Sequence, residues 1–221
     1  MHENDFNRLL DNVKEISALI PGAVFIGGVA VFLHASKTMQ EIAEASHDAD
    51  LFIGLCDLAD LRDIEELTSN RRLDKQQFIK DGFEFDVYVE RNNSLAVPYD
   101  DILLCSSNIN DIRVASLGHL LILKSDAAIS RKGSAKGQKD MRDIIRILML
   151  CSKSDIDICR PYLDDGRMSF LQSIQKSSSF LSLAEENAVL AKHYRQRVSF
   201  TLESIFPEPR SCLSPEKGRL R

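Results

Sequence analysis

The sequence predicts an α+β fold: a small mixed or antiparallel sheet with flanking helices, followed by a helical C-terminal part. Three observations lead there. Short apolar, strand-like runs are interleaved with segments of helical periodicity through the first half of the chain. One of them, "FEFDVYVE", alternates with a period of two and reads as the far arm of a hairpin begun near "KQQFIK". From Ser154 onward the strand signals stop and only helical patterning remains. The division that follows is an α+β unit over 1–115, a helical part over 116–206 and a polar, proline-bearing tail over 207–221, expected to be flexible.

Taken in order, "DFNRLLDNVKEISAL" places Phe6, Leu9, Leu10, Val13, Ile16 and Leu19 at helical spacing, and Pro21-Gly22 stops that helix. "AVFIGG" is a short strand ending in Gly27-Gly28, and "VAVFLHAS" a short helix packed on it. "MQEIAEASH" is a connector. "DADLFIG" is the next strand, and "DLADLRDIEELTSN" an amphipathic helix capped by Asp57. In "FEFDVYVE", Phe83, Phe85, Val87 and Val89 face one way and Glu84, Asp86, Tyr88 and Glu90 the other. "DIRVAS" is a further strand. Ser116 caps the helix "LGHLLILKSDAAIS", and the basic loop "RKGSAKGQ" leads into the helix "KDMRDIIRILMLC". "FLSLAEENAVLAKHYRQRVSFTLESIF" reads as one long helix or two.

The 221 residues and the 44% apolar fraction allow a sizeable core. No apolar run approaches the length of a membrane span, and the polar, acidic start does not read as a signal peptide, so the expectation is a cytoplasmic protein without a membrane partner. A net charge of −5 offers no global field for nucleic acid, although local basic clusters exist. Five scattered cysteines with no C-x-x-C pair argue against a disulfide framework or a zinc site.

Candidate chemistry begins with carboxylates. Asp48 and Asp50, at i and i+2 of a strand, share one face. Asp86 sits on the polar face of another. If those strands are neighbours, three negative charges converge, and hard divalent cations, Mg²⁺ or Mn²⁺, are the usual remedy. Spacing alone decides little: "SDIDIC" repeats it with Asp155 and Asp157, which read instead as acidic residues at a helix start. What distinguishes Asp48 and Asp50 is the upstream Gly27-Gly28 between a strand and a helix, where backbone can approach a phosphate. No G-x-G-x-x-G is present, and "KGSAKGQK" lacks P-loop spacing.

The order strand, Gly-Gly, helix, connector, D-x-D strand and third Asp resembles the minimal nucleotidyltransferase superfamily, with its polymerase-β-like fold. The residues carrying the resemblance are Gly27, Gly28, Asp48, Asp50 and Asp86, within roughly residues 20–150. A second stretch, "VASLGHLLILKSDAAISRKGSAKGQKDMRDIIRIL", is similar to the helix–basic loop–helix of the nucleotidyltransferases found as abortive-infection and type IV toxin–antitoxin toxins. There the matching positions are Lys124, Arg131 or Lys132, and Lys139-Asp140, with Asp143 one turn later. The resemblance implies transfer of a nucleoside monophosphate from an NTP to an RNA, protein or small-molecule hydroxyl. Gly27 and Gly28 would hold phosphates. Asp48 and Asp50 would bind metal, and Asp86 would complete the metal site and help activate the acceptor. Lys37, Lys124, Lys139 and Asp140 would handle the nucleotide, and an antitoxin protein would be a partner. One departure is local: the family's basic residue and threonine precede the D-x-D directly, whereas here Lys37-Thr38 is separated from Asp48 by "MQEIAEASH" and His47 is adjacent. A second reading keeps the fold and drops the chemistry, leaving a nucleotide-binding or regulatory module.

Overall fold

The structure, a computed structural model, describes residues 3–70 and 75–206; the tail expected over 207–221 lies outside the described residues. Helix α1 (Glu3–Leu19) forms where the apolar spacing dictates and buries Phe6, Leu9, Val13 and Ile16. It is followed by β1 (Val24–Ile26), α2 (Gly27–Thr38), β2 (Asp48–Ile53), α3 (Leu55–Ile64), β3 (Thr68–Asn70), β4 (Lys75–Lys80) and β5 (Phe83–Val89). Then come α4 (Tyr99–Leu104), β6 (Ser107–Ile109), β7 (Ile112–Val114), α5 (Leu117–Ser130) and α6 (Ala135–Leu150). The chain finishes with α7 (Lys153–Cys159), α8 (Asp165–Ser173), α9 (Ser179–Leu183) and α10 (Ala188–Ile205).

The strands form one mixed sheet in the order β3-β4-β5-β2-β1-β7-β6. Pairs β2–β5 and β1–β7 are parallel, the remainder antiparallel. The expected α+β architecture is therefore present, with every described strand before residue 115 and helices after it. One apolar cluster runs through the molecule, from Phe6 in α1 through Phe25, Leu51 and Phe85 in the sheet to Val198 in α10. Helix α2 joins its two parts by packing on β2 on one side and on α5 and α6 on the other.

Several local expectations shift for identifiable reasons. Asp57 is not the cap of α3: Gly54 is, and Asp57 stands three residues in, its carboxylate accepting the Gly54 N–H at 3.2 Å. That helix ends at Ile64, with Glu65 extended after it, and Thr68–Asn70 becomes an edge strand on β4. Helix α6 starts at Ala135, earlier than the sequence reading placed it, because Ser134 caps it by accepting from Gly137 N–H at 3.0 Å. The last helical stretch divides into two: Glu185 and Glu186 adopt φ of 48° and 63°, which ends α9, and Asn187 then caps α10.

Candidate active site

The centre of the sheet places the three predicted carboxylates on adjacent strands with a common face. Asp50 of β2 is in register with Asp86 of the parallel strand β5, and Asp48 with Glu84. Side chains at paired positions project to the same face, so the period of two carries Asp48, Asp50 and Asp86 onto one surface. On the other side of β2, Ile26 of β1 pairs with Asp50. The next residue, Gly27, opens α2 at φ +69°, and a Cβ there would overlap the Asp50 carboxylate. Two independent demands, a left-handed backbone and absent side-chain volume, select glycine. At Gly28 an added Cβ would stand 2.5 Å from Ser46 Oγ and 3.5 Å from Lys139 Nζ. The first turn of α2 has no side-chain cap and no acidic residue, which leaves its N–H groups and positive dipole end open to an anion.

The carboxylates have different environments. Burial works to raise the Asp48 pKa, but a hydrogen bond from Ser46 and the charges of Lys139, Lys136 and Lys124 outweigh it and lower the value. Asp50 goes the other way. Burial first, then the charges of Asp48 and Asp86, push it up to about 7 against the opposing pull of Lys124 and Lys75. Asp86 is buried; its Oδ1 accepts from Gln77 Nε2 at 2.6 Å and its Oδ2 is ion-paired with Lys75. Tyr88, two residues along β5, has its phenol raised well above the usual range by burial and by the charges of Asp50 and Asp86.

Of the predicted nucleotide-handling residues, Lys139 sits beside the carboxylates, its Nζ donating to Ser46 Oγ at 3.2 Å. Lys124 is buried against Asp140 at 3.1 Å and Asp143 at 2.8 Å. Burial alone would lower its pKa, yet Asp143 and Asp140 raise it, so the ammonium is held charged. Asp140 also receives Arg131 at 3.4 Å, which makes it the acceptor that positions both cations at the head of α6. Lys37 is not brought to this place. It is exposed in the last turn of α2, ten residues and about 15 Å of helix from Gly27.

Three site residues were absent from the sequence reading. Ser46 gives its hydroxyl proton to Asp48 Oδ1 at 2.9 Å; a small hydroxyl two residues ahead of the D-x-D, on the same strand parity, was the available signal. Lys75 and Gln77 engage Asp86 from β4, and their i, i+2 spacing opposite the polar face of β5 could have shown them. The connector is docked on α6. Arg146 Nε donates to Ile42 O at 2.7 Å, and Glu44 is ion-paired with both Arg142, at 3.0 Å, and Arg146. Those arginines hold Glu44 well below the usual carboxylate range, at about 2, although burial opposes them. His47 is exposed.

The donor set suits a hard divalent cation. It consists of carboxylate oxygens on one face, and Asp50 carries the electrostatic signature of a negative charge without enough compensation. Asp86 is occupied by Lys75 and Gln77, and in this conformation no group of three or more acidic, His or Cys side chains among the described residues converges closely enough to hold a metal. Asp48 and Asp50 are thus the residues that would hold a cation, with Asp86 in register alongside.

Solved structures share this fold. An antigenic nucleotidyltransferase-like protein from Paracoccidioides brasiliensis superposes with a TM-score of 0.53 at 18% identity, covering 87% of this chain and 94% of that one. JHP933 from Helicobacter pylori gives 0.52 at 14% identity, with 93% of each chain covered. A Helicobacter pylori protein provisionally described as a nucleotidyltransferase gives 0.52 at 13% identity, over 93% of this chain and 96% of its own. No protein-family model matches the sequence, and no curated protein does. The shared feature is therefore the nucleotidyltransferase-like fold. Among the described residues, no helix is long and apolar enough to cross a membrane.

Proposed function

We propose that this chain is a nucleotidyltransferase that uses Mg²⁺ or Mn²⁺ and moves a nucleoside monophosphate from an NTP to a hydroxyl acceptor. The observation that carries the reading is the register of Asp50 with Asp86, beside Asp48 and against the Gly27 backbone. The acceptor oxygen attacks the α-phosphorus, the bond from that phosphorus to the α,β-bridging oxygen breaks, and pyrophosphate leaves with the electron pair. A cation held by Asp48 and Asp50, joined by Asp86, would offset phosphate charge and favour the ionised acceptor hydroxyl.

The chain's own groups supply the remainder. The free N–H groups at the start of α2, with Lys139 next to Gly28, receive phosphate oxygens. Ser46 fixes one oxygen of Asp48 and leaves the other for a ligand. Asp86, once released from Lys75, takes up the proton of the acceptor hydroxyl. Lys124, pinned between Asp140 and Asp143, contributes positive field rather than a mobile contact.

Incubation of the protein with each α-labelled NTP and a cell extract, followed by separation of RNA, protein and small molecules, tests the proposal and identifies the acceptor class. Label entering one of these fractions only when Mg²⁺ or Mn²⁺ is supplied supports it. Nucleotide binding without any transfer supports the alternative, a regulatory module, which the engagement of Asp86 by Lys75 favours.

A further inference from the structure

Asp86 is the one carboxylate of the three that already holds a cation from the chain itself. Lys75 and Asp86 side chains are 7% and 9% accessible, so their pairing is nine-tenths out of water. Gln77, two residues along the same strand, takes the other oxygen. Both donors come from β4, on the side of β5 away from Asp48 and Asp50. The carboxylate is therefore drawn toward β4, which explains why an in-register pair, Asp50 and Asp86, does not close into a three-carboxylate cluster.

We infer that Lys75 is a resident counter-cation that competes with the divalent ion for Asp86 and so sets the threshold at which the site assembles. The inference rests on the proposed function above. An ammonium and a divalent cation sharing one carboxylate repel each other, strongly so where water is scarce. Displaced from Asp86, Lys75 has somewhere to go. Its other side faces a cleft of about 490 Å³ whose lining includes the Arg91 guanidinium as well as the hydroxyl and carboxamide groups of Ser69, Gln76 and Asn92. The neutral groups and solvent can take over hydration of the ammonium, so that its release does not strand a buried charge.

The test is Mn²⁺ binding to the full chain without nucleotide, read from the electron paramagnetic resonance of free Mn²⁺, with thermal unfolding in parallel. The comparison covers wild type, Lys75→Met, Lys75→Gln, Gln77→Leu and Asp48→Asn. Removing the competing charge should tighten Mn²⁺ binding about fivefold or more in both Lys75 variants, with a larger Mn²⁺-induced rise in Tm. Gln77→Leu, which removes a neutral donor, should stay within about twofold of wild type. Lys75→Gln keeps a hydrogen-bond donor and serves if Lys75→Met does not fold. Asp48-dependent binding that the Lys75 variants weaken or leave alone overturns the role of Lys75 only, as does equal tightening by Gln77→Leu. Binding that ignores Asp48→Asn overturns the metal-site reading, and the role of Lys75 with it.

Discussion

Ser46 bridges Lys139 and Asp48: its Oγ accepts from Lys139 Nζ at 3.2 Å and donates to Asp48 Oδ1 at 2.9 Å. This links helix α6 to the D-x-D strand through a fully buried hydroxyl. Ser46→Ala removes both bonds while leaving the charges in place. Transfer activity should fall about tenfold to a hundredfold, with stability reduced by roughly 1 kcal/mol, as steady-state kinetics and thermal unfolding would show.

Gly27 is the tightest point of the site. A methyl group there meets the Asp50 carboxylate and a positive φ at once. Gly27→Ala should cost roughly 2–4 kcal/mol in denaturant unfolding, well beyond the usual cost of a glycine replacement, because overlap adds to backbone strain. A variant as stable as wild type would show that the strand-to-helix bend has room that this geometry denies it.

Asp50 makes the metal-free protein less stable as pH rises. Its folded pKa, about 7, lies above its ordinary 3.8, so the native state retains a proton that the unfolded chain has lost. Stability should fall by roughly 2–4 kcal/mol as pH climbs from about 4 to about 7 and be flat in this contribution above that. Asp50→Asn should abolish the slope, so urea unfolding of the two proteins should agree near pH 4 and diverge in favour of the variant at pH 8.

Glu44 gives the opposite slope in a lower window. Its folded value, about 2, lies below its ordinary 4.5, so the contribution is complete above about 5 and is lost as pH falls toward 2. With a third of the side chain exposed, solvent screening reduces the effect to roughly 1–2 kcal/mol. Glu44→Gln should be destabilised by that amount at pH 7, and the gap should close in acid unfolding below about pH 3.

Much of this site was legible in the sequence because two of its causes are local. Strand parity alone puts Asp48 with Asp50, and the polar face of "FEFDVYVE" already contains Asp86. Gly27 and Gly28 marked the strand-to-helix bend. What sequence could not show was pairing across the sheet: that β5 lies parallel beside β2, and that β4 delivers Lys75 and Gln77 onto Asp86 from residues eleven and nine positions away. The place of the connector was hidden for the same reason. "MQEIAEASH" carries no strong periodicity, and its place is fixed by Arg142 and Arg146, about a hundred residues downstream. Short elements such as β6 and α4 depend on neighbours more than on their own composition and were not assigned, and β3 was read as the end of a helix.

The most direct test of the three-carboxylate site compares wild type with Asp48→Asn for transfer of an α-labelled NTP in the presence of Mg²⁺ or Mn²⁺, with circular dichroism and Tm recorded on both. The account predicts loss of transfer by a factor of about a thousand or more with the fold intact. Undiminished transfer by the folded variant would contradict it.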